Sequence, residues 1–544
     1  MVEEEKKVTD AEPTADDDDV VTPFEITAKD DTGIDYEKLI EKYGCFPITP
    51  ELIARLERAI GEKAHRFIRR GIFFCQRDIE QILDAYENRK PFYLYTGRGP
   101  SADALHMGHC IPFIFTQWLQ RVFDVPLVIQ ITDDEKYIYK PEIELDGPKG
   151  SLQMGKNNVK DILAFGFNPD KTFIFSDVDY IGYMYPNVIR VQKHVNYSQI
   201  KGIFGFKEAD NIGKFAFPPV QAVPAFSNTF PHIFGKGHFP CLIPAAIDQD
   251  PYFRMTRDIA QKLKYKKPAS IYSTFFPALQ GKKSKMSSSD PNSSILVSDT
   301  AADIKRKINK YAKTGGGQSV EEHRANGCDL SVDVPFQYMQ FFLEDDDRLE
   351  EIRVKYGKGE LLSGEVKMEL IKIMQDFTKT LQDARKLITN KDVEFYMSVR
   401  KIEKMPTKWL AAAGGAGAGP AAAEAGVTLY TDGPCNMQTA SVQIAADLSN
   451  ARIVTETCAQ AKRQELAKKA SIAGASMPYF QLTDQLILTD STAISKHLVR
   501  TGPKSELLLG GSAFAEAEIE QYVAMASSNV IPNVRTIEAT TFGT

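Results

Sequence analysis

The chain has 544 residues, 43% of them hydrophobic and 25% charged, with a formal net charge of -6. That length implies roughly three or four domains with real cores, and the mildly acidic balance excludes a global polyanion-binding surface, so any nucleic acid must be met by local basic patches. No apolar run is long enough to span a membrane, and the acidic start "MVEEEKKVTDAEPTADDDDVV" fits neither a secretory signal nor an Arg-rich transit peptide, which predicts a cytoplasmic protein.

In chain order, residues 1–35 are polar and aperiodic and are expected to form a disordered tail. From 36 to 89 the pattern is helical. "PFYLY" (91–95) reads as a buried strand, followed by the Gly/Pro/Ser loop "TGRGPSADA". Ile111, Ile114, Phe115, Trp118, Val122 and Phe123 then recur at helical spacing. "VPLVIQIT" (125–132) is continuously apolar, as a parallel strand covered on both faces must be. Further strands are expected at 171–177, 241–248 and 270–276, with helices between them. The alternation predicts a doubly wound, mostly parallel α/β sheet spanning residues 36–333. Residues 334–405 turn helical again. The segment 406–426 is an Ala/Gly-rich linker unable to build a core, and a second α/β region is expected over 427–544. The seven cysteines (Cys45, Cys75, Cys110, Cys241, Cys328, Cys435, Cys458) show neither CxxC pairing nor metal-ligand spacing, so buried or free thiols are expected and no protein-held metal.

Two motifs carry chemistry. "HMGH" places His106 and His109 in the first turn of a helix, where unsatisfied N–H groups and the positive dipole end suit phosphate. Gly108 between them clears a side chain where a flat base can approach the backbone. Alone this motif is weak, since two histidines in a first turn also serve as caps. The second is "GKKSKMSSSDPNSS" (281–294), in which Lys285 can follow a leaving pyrophosphate while Ser287 to Ser289 donate to its oxygens. Paired on one α/β sheet, the two motifs match the signatures of the class I aminoacyl-tRNA synthetases, which the sequence resembles. The blocks "YTGRGPSADALHMGH", "VIQITDDEKY", "FPPVQAVPAFSNTFP", "AIDQDPYFRMTRD" and "STFFPALQGKKSKMSSSDPNSS" are similar to the eukaryotic and archaeal cytoplasmic tryptophanyl-tRNA synthetases over roughly residues 36–405.

That resemblance implies charging of tRNA-Trp with L-tryptophan through a tryptophanyl-adenylate, with ATP accompanied by Mg²⁺. It implies that Tyr95 and Gln130 hydrogen-bond the indole N–H, that Glu135, Gln221 and Gln249 hold the α-ammonium and carboxylate, and that Phe253 packs near the ring. It implies that Gly97, Arg98, Gly108, His109, Lys285 and Met286 line the ATP and pyrophosphate path, with His106, His109, Lys285, Ser287 and Ser289 carrying the catalysis. An indole offers one N–H on a large apolar body, so acceptors in a dry wall suit it. The family also implies a homodimer, and an anticodon-reading role for 334–405. The sequence departs from the commoner class I loop in having Ser288 at its fourth position, and it lacks the basic N-terminal appendage of animal relatives. The basic runs 262–267, 282–285 and 305–313 are candidates for phosphate contact, each also readable as a solvated face.

Three other readings compete with this one. A tyrosyl enzyme shares both motifs but lacks the "GRGPS" loop and the "AIDQDPYFR" strand end. Small nucleotidyltransferases carry HxGH without the helical region. An idle binding protein is expected to have lost one of Glu135, His109 or Lys285, and all three are present.

The segments 428–456 and 475–499 resemble the thioredoxin-like half of a glutathione transferase, closest to the gamma subunit of translation elongation factor one-B. Met477-Pro478 matches that fold's cis-proline site, and Asp490 and Ser491 its helix-capping acidic-Ser turn. Cys435 falls where some transferases place a catalytic cysteine. The following helical half is expected to be truncated. The resemblance implies binding rather than catalysis, with translation-factor or synthetase-complex partners through 427–544.

Overall fold

The computed structural model describes residues 19–24, 26–27, 34–281 and 292–406, together with four strands between 427 and 488. The chain divides into two units, Met1–Ala416 and Gly417–Thr544.

The first unit opens with a small antiparallel hairpin, β1 (Val20–Val21) and β2 (Ile26–Thr27), inside the stretch the sequence reads as a tail. Two-residue strands are too short to show a period, so the sequence pattern hides them. Tertiary contacts hold the hairpin instead. The Tyr43 hydroxyl donates to the Val21 carbonyl at 2.6 Å, and Phe24 stacks on Tyr139 with ring centroids 5.0 Å apart.

The main sheet has seven strands: β3 (Phe46–Pro47), β4 (Phe73–Arg77), β5 (Tyr93–Arg98), β6 (Leu127–Ile131), β7 (Thr172–Ser176), β8 (Cys241–Ala246) and β9 (Ala269–Ser273), in the order β3-β4-β9-β8-β5-β6-β7. Strands β5 to β9 run parallel, while β4 is antiparallel to β9 and β3 to β4. The five parallel strands match those read from the sequence. The antiparallel edge corrects the all-helical reading of 36–89, where β4 lies between helices and its five residues are outweighed by the surrounding helical spacing.

Successive side chains of a strand point to opposite faces. Leu127 and Ile129 of β6 enter one buried cluster and Val128 the other; in β7, Ile174 faces the first cluster, Phe173 and Phe175 the second. Both faces of the sheet are therefore covered, which is why these strands read as unbroken apolar runs. The first cluster continues into the helical region through Val334, Phe336, Tyr338 and Met374. Helices Val334–Phe342, Asp346–Gly357, Ser363–Leu387 and Asn390–Met397 thus share a core with the sheet. Arg70 reinforces the junction by bonding the Gln340 and Leu343 carbonyls and Asp346.

In chain order the sheet grows from β5 outward through β6 to β7, then returns to the other side of β5 with β8 and β9. The reversal opens a crevice beyond the carboxyl ends of β5 and β8, where ligands bind in open α/β sheets.

The second unit contains β10 (Val427–Thr431), β11 (Ile453–Thr457), β12 (Tyr479–Gln481) and β13 (Ile487–Leu488), ordered β11-β10-β12-β13. β10 and β11 are parallel; β12 is antiparallel to both β10 and β13. Cys435, Met477, Pro478, Asp490 and Ser491 lie outside the described residues.

Candidate active site

A cleft of about 1160 Å³ occupies that crevice. Its wall includes Tyr95, Gly97, Arg98, His106, Gly108, His109, Gln130, Glu135, Gln221, Gln249 and Phe253. Eleven residues read from separate sequence blocks thus meet in one cavity. Lys285, Met286, Ser287 and Ser289 lie outside the described residues.

At the floor, Tyr95 on β5 and Gln130 on the neighbouring β6 are buried. The Tyr95 hydroxyl is in hydrogen-bond contact with Gln130 Oε1 and with the Gln221 carbonyl, the latter at 3.0 Å. Burial, and then the nearby Asp177, push the phenol well above its ordinary range, so it stays protonated. Gln130 Nε2 donates to both carboxylate oxygens of Asp177, at 2.8 and 3.0 Å. Phe253 meets the Tyr95 ring edge-on, with centroids 5.9 Å apart. The pocket floor is aromatic, dry and rich in acceptors.

The next layer is more polar. Glu135 accepts from the Thr132 hydroxyl at 2.8 Å and pairs with Lys136 at 2.8 Å. Gln221 donates to Gln249 at 3.0 Å, and Gln249 to Asp248 at 3.3 Å. Gly99 passes close over the Glu135–Lys136 ion pair: an added Cβ would lie 2.1 Å from Lys136 Cε and 2.8 Å from Glu135 Oε2, so these side-chain ends would have to shift.

At the far end the Met107–Phe123 helix begins with reciprocal caps. His109 N–H donates to His106 Nδ1 at 3.3 Å, and His106 N–H to His109 Nδ1 at 3.4 Å. The imidazole centroids are 3.4 Å apart. A neutral imidazole accepts at only one ring nitrogen, so His109 either caps the His106 N–H through Nδ1 or accepts from Arg98 through Nε2. His109 Nε2 lies 3.0 Å from Arg98 Nη1, a contact in which the guanidinium N–H is the donor. Arg98 Nε is held by Asn158 Oδ1 at 3.0 Å, and its Nη2 is buried without a partner among the described residues. Burial lowers the guanidinium to about 10, still charged at neutral pH. Beside the first motif, Met107 N–H donates to the Ile295 carbonyl at 3.0 Å and Val297 N–H to the Leu105 carbonyl at 2.9 Å. The chain just beyond the Lys/Ser-rich motif is therefore laced to HMGH.

Sequence reasoning missed Lys136, Asn158 and Asp177, along with Thr22, Pro23 and Phe24, which reach the cleft from the β1–β2 hairpin. The "DDEK" block next to Glu135 was a usable signal for Lys136. The others act across long separations and leave no local pattern.

The family model of class I tRNA synthetases (W and Y) matches residues 87–379. The chain is 55% identical over 397 residues to the cytoplasmic tryptophan–tRNA ligase of Oryctolagus cuniculus, covering 72% of this chain and 83% of that one. It is 53% identical to the cytoplasmic tryptophan–tRNA ligase of Arabidopsis thaliana, covering 71% and 96%. Among solved structures, the Plasmodium falciparum tryptophanyl-tRNA synthetase superposes with a TM-score of 0.63 at 46% identity, over 67% of this chain and 98% of that one. The tryptophan-bound synthetase of Encephalitozoon cuniculi superposes with a TM-score of 0.61 at 40% identity, over 67% and 100%. The chain belongs to the class I tryptophanyl-tRNA synthetases. It is a tryptophan–tRNA ligase, and its substrates are therefore ATP, tryptophan and tRNA. Among the described residues no helix is long and apolar enough to cross a membrane.

Proposed function

We propose that the cleft performs the activation step with the residues named above. The indole lies on the floor, its N–H directed at Tyr95 and Gln130, while Phe253 packs near the ring. Glu135, Gln221 and Gln249 receive the α-ammonium and carboxylate. ATP lies along Gly97, Arg98 and Gly108, with its phosphates at the start of the Met107–Phe123 helix.

The carboxylate oxygen of tryptophan attacks the α-phosphorus in line, the bond to the β-phosphate oxygen breaks, and pyrophosphate leaves with its electron pair. The enzyme contributes position and charge stabilisation rather than a nucleophile. The buried, charged Arg98 guanidinium beside the start of the Met107–Phe123 helix supports this reading, because a phosphate there meets a cation and the positive end of a helix. His106 holds His109 in place through the reciprocal cap. Mg²⁺ travels with ATP and shields phosphate charge. Lys285 and Met286 with Ser287 and Ser289 are assigned to the departing pyrophosphate on their motif alone. The chain is placed in the cytoplasm, like the relatives named for that compartment.

The convergence of all eleven described residues on one cleft carries the proposal. Pyrophosphate exchange into ATP, run with tryptophan, tyrosine and no amino acid, tests it. Exchange with tryptophan alone is expected in the parent, and Gln130→Ala is expected to lose it selectively at limiting tryptophan. Exchange supported equally by tyrosine would refute the pocket assignment.

For the second unit we propose an assembly role with partners of the translation machinery. Its strand order, with one parallel and two antiparallel pairings, supports the glutathione-transferase-like resemblance. A pull-down comparing the full chain with one ending at residue 416 tests this, and retention of every partner by the shorter chain would remove the role. A homodimer through the catalytic region is part of the same proposal. Val178, Tyr185 and Ile189, exposed along one face of the Asp177–Gln192 helix, offer it an apolar surface.

A further inference from the structure

Gln130 can serve an indole N–H only if its amide is turned the right way. A side-chain amide offers an acceptor at one end and donors at the other, and the two ends are nearly equal in shape. Neither the strand nor the pocket shape distinguishes them, so the hydrogen-bond partners decide.

Those partners lie behind the pocket. Asp177 is 1% exposed and occupies the first position of the helix that follows β7, the strand next to β6. Both of its oxygens lie within 3.0 Å of Gln130 Nε2. The only other acceptor for that nitrogen among the described residues is the Val220 carbonyl at 3.4 Å, a long contact. On the opposite side, Gln130 Oε1 meets the Tyr95 hydroxyl.

We propose that Asp177 is a positioning residue for amino-acid selection: by accepting from Gln130 Nε2 it keeps Gln130 Oε1, an acceptor, facing Tyr95 and the indole N–H. The inference rests on the tryptophan-pocket reading above. Without Asp177 the amide is free to reverse and turn its NH₂ toward a ligand that brings another N–H. The pocket then loses its demand for a donor, and with it the large penalty on ligands lacking one.

The surroundings keep this acceptor in place. Asp177 shares a hydrogen bond with Asp134, and burial raises both carboxyls, Asp134 to about 7. A proton held between the two carboxyls leaves an Asp177 oxygen to accept from Gln130. Asparagine at 177 keeps one acceptor, its Oδ1, for Gln130 Nε2 but brings an NH₂ to the other position that faces the same nitrogen, so it preserves part of the pattern.

The test uses pyrophosphate exchange by the full-length enzyme with tryptophan and with its benzothiophene analogue, in which sulfur replaces the ring N–H. In the parent, tryptophan is strongly preferred. Asp177→Ala is expected to cut that preference roughly ten- to a hundredfold while KM for ATP stays within about twofold. Asp177→Asn, which keeps one acceptor, is expected to lose less of the preference than the alanine enzyme. Should the alanine enzyme not fold, Asp177→Ser replaces it, because its hydroxyl is too short to reach Gln130. An unchanged preference in the alanine or serine enzyme overturns the inference, and so does an asparagine enzyme that loses as much as alanine. Gln130→Ala separates the two levels. If it leaves the preference intact, the pocket reading itself fails; if it abolishes the preference while Asp177→Ala does not, only the role of Asp177 falls.

Discussion

The two ends of the cleft solve different problems with different parts of the fold. The floor is made of strand residues, Tyr95 and Gln130, whose hydrogen bonds are set by buried partners before any ligand arrives. The other end, proposed for the phosphates, is made of a loop and a helix start, where the Arg98 guanidinium meets His109 Nε2 at 3.0 Å. In the proposed reading the first geometry serves a neutral N–H, which needs fixed acceptors, and the second serves charge that moves during the reaction, which needs donors and a positive field. Binding energy spent equally on ground state and transition state lowers KM without raising kcat, so separating the two tasks in space lets each be tuned alone.

The separation breaks most sharply at His109. His109→Ala removes the imidazole that contacts Arg98 at the helix start and one half of the reciprocal cap. We expect kcat for adenylate formation to fall about 10²–10³-fold, the usual size for one lost charge-stabilising group, with KM for tryptophan within about threefold of the parent. Stopped-flow or exchange kinetics over both substrates check this. A rise in tryptophan KM as large as the fall in kcat would show that the two ends are not independent.

A second test sharpens the floor through stability. Asp134 lies in the buried carboxyl group behind Gln130, and burial lifts it from an ordinary 3.8 to about 7. A carboxyl whose folded pKa is raised binds its proton more tightly in the native state. It therefore stabilises the fold below its ordinary value, and that contribution is lost as pH rises through about 7. Asp134→Asn is expected to flatten the dependence of Tm on pH between 4 and 8, with its largest relative gain above pH 7. An equally steep profile in the variant would assign the pH response to other groups.

The same contrast explains what the sequence made legible. Strands β5 to β9 were readable because a strand covered on both faces is mostly apolar, as "LVIQI" is in β6 apart from Gln130. Eleven of the residues named from short sequence blocks line one cleft. Asp177 and Asn158 were not readable, since they act on Gln130 and Arg98 across 47 and 60 positions, and only the fold brings such pairs together. β4 was masked by the helices around it. The β1–β2 hairpin was hidden because it is held by Tyr43, Tyr139 and Phe206, not by any period of its own.

That hairpin gives the smallest expected effect. Phe24 stacks on Tyr139 at 5.0 Å and lies 5.5 Å from Phe206, and all three line the cleft. One aromatic contact of this kind is worth about 0.5–1.5 kcal/mol, so removing it shifts an equilibrium about two- to tenfold. Tyr139 stands on the same helix as Glu135, one turn further along. Phe24→Ala is therefore expected to raise KM for the substrates by a few fold while leaving the preference for tryptophan over its benzothiophene analogue unchanged. A changed preference would mean that the hairpin reaches the indole floor through Tyr139, and that the two ends of the cleft are coupled by the wall between them.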